Sequence, residues 1–104
     1  MDRPCIVIAT FTPHPEHYDE VKNLLVDVLP DVHQEEGCEL YALHEEVEGV
    51  LVLIEKWTTR ELWQVHLTLD PVARIQSGLH GLLVKDVEVS EMYGVAQSGP
   101  PESL

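Results

Sequence analysis

Basic residues are scarce in this chain: six Lys and Arg stand against nineteen Asp and Glu, a net charge of −13. That balance repels phosphate backbones and anionic lipid headgroups alike, so neither nucleic acid nor a membrane surface is an expected partner. The acidic residues are spread along the chain, and a solvated surface is their plain reading. Cysteine is nearly absent. Cys5 and Cys38 have no metal-ligand spacing and follow no secretory segment, which makes them expected buried thiols. Apolar runs such as Cys5–Ala9 stop far short of the ~18 residues of a membrane span. A soluble, cytoplasmic protein is therefore expected. Ser77, Ser90 and both cysteines lack the strained elbow or basic partner of an activated nucleophile, so hydrolysis has no signal. There is no low-complexity tract either. The 104 residues read as one ordered domain over 4–96, with a frayed tail over 97–104.

Cys5 to Phe11 is apolar and β-branched on both alternating faces, as a central strand would be. Pro13-His14-Pro15 stops it. Tyr18, Val21, Leu25, Val28 and Val32 then follow the three-and-four spacing of a helix, expected to reach about Glu35 with a bend at Pro30. Gly37 is its natural stop. A second strand is expected over Cys38–Val47, a tight turn at Glu48-Gly49, and a second central strand from Val50 through Ile54 to Trp57. Thr58 or Thr59 can cap a helix to about Leu69, and Asp70-Pro71 restarts a short one, with Asp70 as its N-cap. A last strand is expected over Val84–Val95.

This order is β-α-β-β-α-β, an α+β, ferredoxin-like arrangement with helices on one face of a four-stranded antiparallel sheet. Two helices cover one face, yet the first and third strands are apolar on both. A second copy packed sheet to sheet would shield the other face, so a homodimer is expected.

Glu35-Glu36-Gly37-Cys38 after the first helix, Tyr41 and His44 in the second strand, Glu55-Lys56-Trp57 ending the third, and Leu62 with His66 beyond it form a pattern. Over roughly residues 5 to 95 it resembles the antibiotic biosynthesis monooxygenase family of the dimeric α+β barrel superfamily. The resemblance implies a cleft between helices and sheet that binds a small aromatic, hydroquinone-type substrate. It implies dioxygen as co-substrate, and no metal, flavin or haem cofactor. Haem-degrading relatives share the outline, but the positions of their working residues hold Ala9, His66 and Gln76 here, all departures that disfavour haem oxygenation.

His66 is the candidate base, because imidazole titrates near neutrality and the helix would aim it at the cleft. Half-buried histidine bracing helix to sheet is the alternative. Trp57 and Trp63 could wall a flat substrate, although buried tryptophan is more often plain core. Glu55 must be paired, protonated or near the surface; a salt bridge with Arg60, Arg74 or Lys85 is the leading expectation, proton transfer the lesser. Tyr41 and His44 are candidate substrate contacts, but alternation points them to opposite faces, so at most one can line the cleft. His14-x-x-His17 is read as a solvated loop, not a metal site. Two further readings stay open: a non-catalytic dimeric ligand-binding or stress-related module, and a proton-shuffling isomerase.

Overall fold

The computed structural model of the chain describes residues 3–99. Strand β1 (Cys5–Phe11) leads through a 3₁₀ turn (Pro15–His17) into helix α1 (Tyr18–His33). Strands β2 (Cys38–Glu45) and β3 (Leu51–Trp57) follow, then helices α2 (Arg60–His66) and α3 (Asp70–Gly78), and strand β4 (Glu88–Tyr93). The sheet order is β2-β3-β1-β4 with every pairing antiparallel, the ferredoxin-like topology expected from the sequence.

Period-two burial on the central strands fixes which face the helices take. Cys5, Val7, Ala9 and Phe11 of β1 and Leu51, Leu53, Glu55 and Trp57 of β3 are all buried, whereas their alternating neighbours are only half-buried. Helix α1 brings Val21, Leu25, Val28 and Val32 onto the buried face, at the spacing read from the sequence. It runs as one helix through Pro30. Antiparallel register sets side chains of four strands in a row beneath the helices: Tyr41 opposite Glu55, Glu55 opposite Val7, and Val7 opposite Glu91.

Local signals differ from expectation at three places. Strand β2 ends at Glu45, because the Glu46 carbonyl accepts from Gly49 and the chain turns there, with Gly49 at φ +104°. Helix α3 begins at Asp70 itself, with Leu69 in the cap position and no side-chain cap bond. The last strand is six residues, not twelve: His14 N–H instead donates to the Leu82 carbonyl at 2.9 Å and Val84 N–H to the Thr12 carbonyl at 2.7 Å, and Pro13 bridges Leu83. From residue 100 onward the expected tail lies outside the described residues.

Of the two candidate threonines, Thr59 caps α2, accepting from the Leu62 backbone N–H at 3.1 Å. Thr58 N–H donates to the Gly37 carbonyl at 2.9 Å and so joins the start of α2 to the loop after α1. Gly37 has φ +84°, and a Cβ there would lie 2.6 Å from Leu62 Cδ1 and 2.9 Å from Leu62 Cβ. Both the left-handed backbone and the close approach of α2 require glycine. Gly37→Ala is expected to destabilise the fold by about 1–3 kcal/mol, read as a lowered urea midpoint with unchanged slope; an unchanged midpoint would show that the loop yields freely.

Candidate functional site

Three elements bring polar side chains onto the buried face. Alternation along β3 puts Glu55 and Trp57 under the helices, and Tyr41 lies beside Glu55 on β2. Helix α2 is short, but its Thr59 cap sets its rotation so that Trp63 and His66, three residues apart, both face inward. The loop between α1 and β2 supplies Glu35. His66 Nδ1 lies 2.7 Å from Glu35 Oε1, with the two side chains 3 % and 8 % exposed. The imidazole tilts over the Trp57 ring, centroids 4.6 Å apart, and meets the edge of Tyr41 at 5.5 Å.

Glu55 is 4 % exposed and takes one hydrogen bond, from Trp57 Nε1 to Oε1 at 2.9 Å. Among the described residues of one chain the expected salt bridge is not formed. Arg60 pairs with Glu91, Arg74 with Asp31 and Asp70, and Lys85 with Glu88, each at the surface, while Glu55 lies under the helices beyond their reach. Loss of water therefore dominates: burial pushes the Glu55 carboxyl up to about 7, the indole bond opposes this, and the Glu35 charge adds to it. Burial also lowers His66, against the pull of Glu35, so its imidazole is neutral at pH 7. Tyr41 is raised by burial, then by Glu55 and Glu35, so its hydroxyl keeps its proton.

A cavity of about 180 Å³ lies between helices and sheet. Tyr41, Glu55, Trp63 and His66 line it together with apolar side chains from β1, β3, α3 and β4, and exposed Gln76, Leu67 and Val89 border it toward solvent. Tyr18 donates to Glu45 at the surface and takes no part in the lining. Of the two site tryptophans only Trp63 forms wall; Trp57 is fully buried behind the lining and acts as a hydrogen-bond donor. His44 is exposed and faces away. Glu35 was not singled out as a site residue: it is 31 positions from His66, and no local spacing joins them. A wider surface groove of about 430 Å³ borders the cavity at Gln76, Leu79 and Val87 but contains neither His66 nor Glu55. His17, of the His14-x-x-His17 pair, contacts Glu20 at 3.2 Å.

Comparison with known proteins follows the same lines. The antibiotic biosynthesis monooxygenase family profile matches residues 4–77. Among solved structures, the Rv0793 protein of Mycobacterium tuberculosis is 27 % identical, with a TM-score of 0.86 over 92 % of this chain and 99 % of that one. The PA3566 protein of Pseudomonas aeruginosa is 26 % identical, with a TM-score of 0.84 over 92 % and 98 %. A structure described as an antibiotic biosynthesis monooxygenase is also 26 % identical, with a TM-score of 0.81 over 88 % and 99 %. No curated protein gives a significant match.

The buried carboxyl sets a pH dependence. Glu55 has an ordinary value of 4.5 when solvated and about 7 in the fold, so between the two the native state binds the extra proton. Stability is fully present below the lower value and falls as pH rises through the higher one, by on the order of 3 kcal/mol. His66, lowered in the fold, acts in the opposite sense below its ordinary value of 6.5. Glu55→Gln keeps an acceptor for Trp57 and removes the ionisation. Its stability relative to the native chain, read as urea midpoint, should rise between about pH 4.5 and pH 7 and level off above; parallel curves would contradict a raised Glu55.

Proposed function

The chain belongs to the antibiotic biosynthesis monooxygenase family, and on that premise we propose that it oxidises a small aromatic, hydroquinone-type molecule with dioxygen, using no metal or flavin. The observation that carries this reading is His66: a neutral buried imidazole, bonded through Nδ1 and lining an otherwise largely apolar cavity. A cavity of about 150 Å³ holds a benzene ring, so about 180 Å³ with an open border accommodates one flat ring and part of a second. Tyr41 and Trp63 offer it aromatic walls.

His66 Nε2 takes the phenolic proton, and the phenolate that remains is electron-rich enough to pass an electron to dioxygen. The resulting superoxide and ring radical combine as a peroxide at a ring carbon. The C–H bond at that carbon and the O–O bond then break together: one oxygen stays on the ring, now a hydroxyquinone, and the other leaves as water, one of its protons coming from the ring carbon. Protonated Glu55, which does not repel the anion, supplies the other proton and recovers it from the imidazolium; the apolar lining keeps bulk water from quenching the intermediates.

The same pairing of a neutral base with a protonated acid on one cavity also suits an isomerase, which needs no oxygen. Oxygen uptake with a panel of benzo- and naphthohydroquinones separates the readings. Turnover should require oxygen, and His66→Ala should lower it at least ~100-fold. Full turnover by that variant would remove His66 as base, equal rates without oxygen would favour isomerisation, and binding without turnover would favour a ligand-binding module.

The assembly proposed with this activity is a homodimer through the uncovered sheet face. There Ala42, Ile54 and Ile8 lie side by side across three strands, flanked by Val52, Ile6 and Leu40, all half-buried with no helix over them. An apolar surface of this kind is what a two-fold, self-complementary contact buries. Ile54→Glu is expected to convert a sedimenting dimer to a monomer; a native chain that sediments as a monomer would contradict the assembly.

A further inference from the structure

We propose that Glu35 is the positioning residue of this site: it fixes the His66 ring with Nδ1 protonated and Nε2 free toward the cavity, and it stabilises the imidazolium formed when Nε2 takes a proton. This rests on His66 being the base. The geometry is a 2.7 Å bond between two side chains that are both more than nine-tenths buried. A carboxylate can only accept, so Nδ1 must donate, and the lone pair is left on Nε2, which has no hydrogen-bond partner among the described residues.

Two observations separate this role from a mere brace. Among the described residues Glu35 Oε2 is buried without a hydrogen bond, and an unmade bond at a buried polar atom costs about 1–3 kcal/mol. As a brace between α2 and the loop, a buried half-satisfied carboxylate is a costly group; its charge offsets that cost where a positive charge forms beside it. The backbone around it is also held. Glu35 N–H donates to the Val32 carbonyl at 3.0 Å, Cys38 N–H donates to the Glu35 carbonyl at 3.2 Å, and Gly37 closes the turn against Leu62. A carboxylate on such a frame can hold a ring in one orientation. The other titratable groups on the cavity, Tyr41 from β2 and Glu55 from β3, make no hydrogen bond to the imidazole, so its tautomer is set by Glu35.

Imidazole nitrogen NMR on the full chain reads this without any substrate. In the native protein above pH 7, His66 should be the Nδ1–H tautomer. Glu35→Ala should return it to the Nε2–H form that free imidazole side chains prefer. Glu35→Gln keeps the shape but not the charge, and should weaken proton binding at His66 about tenfold or more; it carries the test should the alanine variant not fold. With a naphthohydroquinone, Glu35→Gln should lower kcat about 10–100-fold with little change in KM. An Nε2–H tautomer in the native protein, or a His66 titration unmoved by Glu35→Gln, overturns the proposal. The expected tautomers without any oxygen uptake would sustain the positioning role and overturn the oxygenase reading instead.

Discussion

All three helices lie over one face of the sheet, and a polar atom placed on the central strands of that face gives up its water. The rest of the molecule follows from this constraint. Most inward positions of β1 and β3 meet it with apolar side chains. Glu55 meets it by becoming a weak acid with one indole partner, and His66 by staying neutral with one carboxylate partner. Among the described residues each of these two groups has a single hydrogen-bond partner, and both border the same small cavity. Such a region is poor for stability and well suited to moving a proton.

The structure around these groups serves their placement. Thr59 sets the rotation of α2, which carries Trp63 and His66. Gly37 lets that helix approach the loop bearing Glu35, and the Thr58–Gly37 backbone bond keeps the two together. Trp57, fully buried, supports His66 by ring contact and Glu55 by hydrogen bond. A side chain with a large apolar body and one polar donor is what such a double contact requires. The opposite sheet face has no helix over it, and its Ile6, Ile8, Val52 and Ile54 form the surface proposed above for a second copy of the chain.

Much of this was legible in the sequence. The two-face apolarity of Cys5–Phe11 and Val50–Ile54, the three-and-four spacing from Tyr18 and the turn residues were enough for element order and sheet type, because those signals are local. Alternation also showed that Tyr41 and His44 could not both line the cleft; the structure gives that place to Tyr41. Other features depend on contacts that no spacing encodes. The partner of Glu55 was expected to be a cation, yet register and helix packing left only Trp57 within reach. The pairing of Glu35 with His66 spans 31 residues and exists only because α2 folds back over the loop after α1. Strand β4 came out short at its start because Leu82 to Val84 pair with residues 12–14, so that Val84 belongs to that bridge and the strand begins at Glu88.

The central claim is that the cavity beneath α2 and α3 receives an aromatic ring with its hydroxyl at His66. A crystal structure of the chain soaked anaerobically with 1,4-naphthohydroquinone tests it directly. The account predicts a ring against Trp63 and Tyr41 with one oxygen within about 3 Å of His66 Nε2. A ring bound in the outer groove beside His80 and Lys85, or on the open sheet face, with the cavity left empty, would contradict it.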